Sequence, residues 1–123
     1  MNTLAALQQA QRFRAEGRAG EAAQIYIGIL TSDNSNVEAL FHLGVMQHQR
    51  GDLQEANRLL SRAAMKAPHD ARALFALAAV RLEEGATDEA LTLASRAVDA
   101  ERSSRVLTRA GGIHAEAGLM EKA

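Results

Sequence analysis

Apolar residues recur every three to four positions along most of this chain, and nowhere do they alternate as a strand requires. Between Val37 and Gln49 they fall at Val37, Leu40, Phe41, Leu43, Val45 and Met46, which is the spacing of a helix face. Between Leu53 and Ala64 they fall at Leu53, Ala56, Leu59, Leu60, Ala63 and Ala64. Polar punctuation separates the two stretches. Gly51 suits the left-handed conformation that ends a helix, and Asp52 with Glu55 forms a capping box for the next one. Ser35 with Glu38 predicts a capping box ahead of the first helix, and Pro68 sits just past the second, where a helix cannot continue. The plan recurs over 71–100: Asp70 is predicted to cap one helix, Gly85 to end it and Thr87 to cap the next. The pattern predicts an all-α protein built from helix pairs.

The pairs repeat. Gly17, Gly51, Gly85 and Gly118 are spaced 34, 34 and 33 residues apart, and Ala22, Ala56, Ala90 and Ala123 follow the same steps. Glu21, Glu55 and Glu89 precede the first three of those alanines. Two markers sharing one period argue for internal repeats and against a plain four-helix bundle, which needs no such recurrence.

A helix–turn–helix unit of this length resembles the tetratricopeptide repeat. The resemblance covers nearly the whole chain as repeats 3–36, 37–70 and 71–103 and a partial fourth at 104–123. The second repeat matches best, through Leu40, Leu43, Gly44, Ala56, Leu60, Ala63 and Pro68, and departs at Gln47, where the family prefers an aromatic residue. The third supplies Leu74, Leu77, Ala78, Ala90, Ala94 and Ala97, with Arg81 at that aromatic position. The first supplies Ala6, Ala10, Phe13, Ala22 and Tyr26, and the fourth Leu107, Ala110, Gly111 and Ala123. The resemblance implies an α-solenoid of antiparallel helix pairs, a right-handed superhelix, as a single array over 1–123. It also implies that Gly44, Ala56 and Gly111 are small because helices touch there.

Composition narrows the function. The chain has 123 residues and a net charge of −1, from 14 Lys and Arg against 15 Asp and Glu, without the basic excess of a nucleic-acid binder. It has no cysteine, so disulfides, thiolate metal sites and cysteine nucleophiles are excluded. Its N-terminus turns polar too soon for a signal-peptide core, and its longest apolar run, Leu74 to Val80, is too short to span a bilayer. A cytoplasmic protein with no membrane partner is the expectation. Twelve Arg against two Lys, with abundant Ala, fit a GC-rich bacterial genome.

Catalytic motifs are missing: there is no phosphate loop, no nucleophile elbow and no His-Glu-x-x-His pair. His42 and His48 point roughly 240° apart on one helix and cannot share a metal. With His69 and His114 they read as unlinked surface or groove histidines. Glu83 and Glu84 are adjacent and so do not face one another; they read as a solvated rim. Neither a cofactor nor a metal is expected, and the chain is read as non-enzymatic.

In the family that the repeats resemble, the first helix of each repeat lines a concave binding groove. Carried onto this chain, those positions give Leu7, Gln11, Arg14, Glu38, Phe41, Val45, His48, Arg72, Phe75, Leu82 and Arg105. An apolar strip with a polar rim suits a peptide or helix, and Phe41 and Phe75 are the expected anchors. Chaperone adaptors of this family clamp a terminal carboxylate, but of the matching residues Leu7, Gln11, His42, Arg72 and Ala76 only Arg72 fits. The asparagine ladder of nucleocytoplasmic sugar transferases is replaced here by Gln8, His42, Ala76 and Arg109. The expected role is a protein-interaction module or scaffold. The alternative is the recruiting arm of a larger enzyme, such as a glycosyl- or sulfotransferase. Because the fourth repeat stops at the start of its second helix, the chain is expected to be a piece of a longer protein; the alternatives are a homodimer through that uncapped end and a last helix that itself suffices as the cap.

Overall fold

A computed structural model describes residues 2–101 and 104–122, with side chains in the last stretch described for 109–118. Seven α-helices occupy the described residues, with no strand among them: α1 (Thr3–Ala15), α2 (Ala19–Ser32), α3 (Val37–Gln49), α4 (Leu53–Lys66), α5 (Ala71–Glu83), α6 (Thr87–Ala100) and α7 (Ser104–Lys122). This is an all-α helical-repeat fold, as the periodicity predicts. The helices form two compact units, Met1–Lys66 and Ala67–Ala123.

In the first unit α1 pairs with α2 and α3 with α4, and α2 also packs on α3. The core is made largely of small residues: Ala10, Ala22, Ala56 and Ala63 are fully buried beside Tyr26, Leu40, Leu59 and Leu60. Such a core works through close backbone approach more than through side-chain volume. Gly44 is the extreme case, facing Leu60 and Leu59 with no room for a Cβ.

In the second unit α5 packs on both α6 and α7, and α6 packs on α7. The chain from Ala71 to Leu82 is therefore buried on almost every side, Arg72, Ala79 and Arg81 being the partly exposed positions. Ala73, Leu74, Ala78, Val80, Ala90, Ala94 and Ala97 are completely inaccessible.

The helix ends show which local signals operate. Gly51 and Gly85 both adopt φ +83°, the left-handed residue that lets the chain reverse into the next helix. Asp52 Oδ1 accepts from the Glu55 amide at 3.2 Å, and Asp70 Oδ1 accepts from the Arg72 amide at 3.0 Å, as their sequence contexts predict. Two caps differ from expectation. Asn36, not Ser35, caps α3, accepting from the Ala39 amide at 3.0 Å, while the Ser35 amide donates to Asp33. Ala86, not Thr87, precedes α6 and offers no side-chain cap; Thr87 is already helical.

The end of the chain differs more. Gly118 was expected to make a fourth turn, yet α7 runs through it to Lys122. A left-handed glycine pays off only when a second helix packs back, and among the described residues none follows α7. For the same reason Gly111, expected to be small for packing, is exposed with nothing within 4 Å of where its Cβ would be. Among the described residues no helix is long and apolar enough to cross a membrane.

Candidate functional site

In the first unit, the candidate groove residues come from α1 and α3. Leu7 is half-buried, while Gln11 and Arg14 are exposed near the C-terminal end of α1. Glu38, Phe41, Val45 and His48 are all half-buried on α3. Three of these residues, Arg14, Glu38 and Phe41, gather round His42, which is not among the candidate groove residues.

Arg14 Nη1 lies 3.0 Å from His42 Nδ1. A guanidinium has donors and no acceptor, so Nδ1 must accept. Glu38, one helical turn before His42, places Oε2 3.3 Å from Nε2. The imidazole stacks on Tyr26 of α2, with ring centroids 5.4 Å apart and 20° between planes, and meets Phe41 edge-on at 5.0 Å. Burial pushes the Tyr26 phenol above its ordinary pKa, although Arg14 acts against that shift. The His42 side chain is only 18% exposed, so it is neither a surface group nor unlinked. The readable signal was the Glu38–His42 spacing, which puts an acid and an imidazole on one helix face. Pairing with Arg14, 28 residues away, is a tertiary matter.

In the second unit, the start of α5 and the second turn of α7 border a pocket of about 440 Å3, lined by His69, Asp70, Ala71, Arg72, Phe75, Glu101 and Arg109. Arg72 projects its guanidinium onto Asp70, with Nη2 3.1 Å from Oδ2. Burial works against the Asp70 charge, but hydrogen bonds from the Arg72 side chain and from the Arg72 and Ala73 amides outweigh it and hold the carboxyl below its ordinary pKa. Arg109 of α7 lies over the Phe75 ring, 5.5 Å from its centroid. Phe75 and Leu82 are each 2% exposed, so Phe75 meets the pocket as part of its floor rather than as a projecting side chain. The side chain of Arg105 lies outside the described residues. Arg109, which the sequence reading did not select, is exposed.

The chemistry on view is recognition: aromatic floors with guanidinium and carboxylate groups around them. Among the described residues no group of three His, Asp or Glu side chains is placed to hold a metal. Glu83 and Glu84 are both exposed.

Two family models, each described as a tetratricopeptide repeat, match residues 47–110 and 7–64. No curated protein matches in sequence. Among solved structures, the chain is similar to the type III secretion chaperone SycD of Yersinia enterocolitica in complex with a peptide of the translocator YopD. There the identity is 18% and the TM-score 0.83, over 94% of this chain and 92% of that one. The same chaperone in an alternative dimer gives 16% and 0.82, over 96% and 92%. The second TPR domain of human RPAP3 with an HSP70 peptide gives 16% and 0.77, over 90% and 93%. An O-GlcNAc transferase of Thermobaculum terrenum gives 24% and 0.77, over 85% of this chain but 21% of that one. At such identities the likeness is one of fold.

Proposed function

Because the chain belongs to the tetratricopeptide repeat family, we propose that it is a protein–protein interaction module. It takes up a peptide or helix along the first helices of its repeats and has no catalytic role of its own. The observation that carries this reading is the pocket at Arg72, Phe75 and Arg109. Guanidinium groups beside an aromatic floor suit a peptide segment that pairs an apolar side chain with a carboxylate, since charge-assisted hydrogen bonds to Arg are strong and directional. Within the first unit, Leu7, Gln11, Arg14, Glu38, Phe41, Val45 and His48 are proposed contact residues; within the second, Arg105 is proposed beside the pocket and the buried Leu82 as support beneath it. SycD with its YopD peptide and RPAP3 with its HSP70 peptide support a peptide ligand by analogy of fold.

The test is affinity capture with the wild-type chain against Phe41→Ala and Arg109→Glu. Arg109 is exposed, so Arg109→Glu should melt like the wild type, whereas Phe41 is half-buried and Phe41→Ala should melt somewhat lower while staying folded at the temperature of the assay. Partners lost from both variants support the proposal, and identical partner sets overturn it.

A second reading, the recruiting region of a larger glycosyltransferase, is favoured by the likeness to the Thermobaculum enzyme. A transferase domain in the same open reading frame would decide for it. Homodimerisation through α7 is part of the first proposal, supported by the alternative SycD dimer. Sedimentation showing a monomer at every concentration would end it.

A further inference from the structure

A second groove lies in the first unit, on a face made by the second helices of its two pairs. It consists of two neighbouring pockets, of about 360 Å3 and about 240 Å3, that share Leu43 and Gln47 of α3 in their lining. One wall is α2, through Gly20, Ala23, Ile27 and Leu30. These residues are spaced three and four apart, a stripe about 15 Å long at the rise of a helix. The floor is Leu43 and Met46, both buried. The opposite wall is α4, through Glu55, Arg58 and Arg62, and Arg50 closes one end. Ile27 is 44% exposed, a large apolar side chain left in water at the middle of the stripe.

We infer that this groove docks an amphipathic helix of a partner protein, with apolar residues against α2 and α3 and an acidic edge toward Arg50, Arg58 and Arg62. The groove favours a helix over an extended peptide. All its walls are helices whose backbone groups are already bonded internally, so an extended strand would bury N–H and C=O groups without partners. A helix arrives with its own backbone satisfied and inserts side chains at i, i+3, i+4 and i+7. The charge is set by the lining: three guanidiniums face one carboxylate, and that carboxylate, Glu55, is bonded to Arg58 with Nε 3.0 Å from Oε2. Glu21, the nearest acid on α2 by sequence, is held by Arg18 at 2.7 Å. Arg50 has no acidic partner among the described residues. An approaching acidic edge therefore meets net positive charge, which steers association and disfavours basic helices.

The experiment is a display library of helical 15-residue peptides with apolar residues fixed at i, i+4 and i+7 and randomised flanks, selected on the full chain. Enriched peptides are expected to carry acidic flanks. They should lose at least tenfold in affinity on Ile27→Lys and on Arg50→Glu, and keep it on Phe41→Ala and Arg109→Glu. Ile27 and Arg50 are exposed, so these variants should retain the wild-type melt. Failure to enrich any peptide, flanks without acidic bias, or equal binding to the Ile27→Lys variant overturns the proposal. None of these outcomes touches the reading of the first-helix face, which is judged by the other pair of variants.

Discussion

Gly44 and Leu60 approach so closely that a Cβ on Gly44 would lie 2.7 Å from Leu60 Cγ and 2.8 Å from Cδ2. At this point α3 and α4 are too close to admit any side chain on Gly44. Gly44→Leu should therefore overpack the pair, by about 1–3 kcal/mol, and lower the melting temperature by several degrees. Ala56→Leu, at a position with no exposed area, should act in the same direction. Thermal melts followed by circular dichroism check both, and an unchanged melt for both would sink the repeat register.

Phe41 and Phe75 occupy equivalent repeat positions but should not behave alike. Phe75 is 2% exposed, so Phe75→Ala should cost about 3–5 kcal/mol, the usual loss for a truncated core phenylalanine. Phe41 is half-buried and should cost clearly less. Urea denaturation of the two variants measures the difference, and equal losses would contradict the burial described for them.

Asp70 caps α5 and pairs with Arg72, which lowers its carboxyl pKa in the folded state. The sign follows from linkage: a lowered folded pKa adds stability above the unfolded value, about 3.9, and loses it as pH falls through the folded value. Asp70→Ala should thus cost about 1 kcal/mol at neutral pH and progressively less as the wild type is acidified below about pH 4. Parallel denaturation curves at neutral and acidic pH give the comparison. A deficit that stays constant with pH would exclude the charged cap.

Glycines at different sites should respond to alanine with opposite sign. Gly111 and Gly112 are exposed in α7 with open space around them, so Gly111→Ala and Gly112→Ala should each stabilise by up to about 1 kcal/mol. Gly51 holds φ +83°, and Gly51→Ala should destabilise by a similar amount. Melting temperatures of the three variants test this. A Gly112→Ala protein that melts lower than wild type would show a contact on that face of α7.

The sequence by itself determined the helices and their repeat. Periodicity is a local property, and so are the Gly51 and Gly85 turns and the Asp52 and Asp70 caps, because each depends on residues within one turn. It did not separate Ser35 from Asn36 as the cap of α3, since both can cap; in the fold the Ser35 amide is bonded to the Asp33 carboxylate and Asn36 takes the capping position. It predicted a turn at Gly118 that α7 does not make, because such a turn needs a second helix to pack back. Tertiary structure alone decided the sites. His42 left the class of unlinked histidines because Arg14 and Tyr26, distant in sequence, converge on it. Phe75 became a floor rather than an anchor because α6 and α7 both pack on α5. The charged groove between α2 and α4 exists because two helices of different repeats frame one face. Contacts between residues tens of positions apart depend on how helices pack, and a periodic pattern specifies which residues face a neighbour without specifying what that neighbour brings.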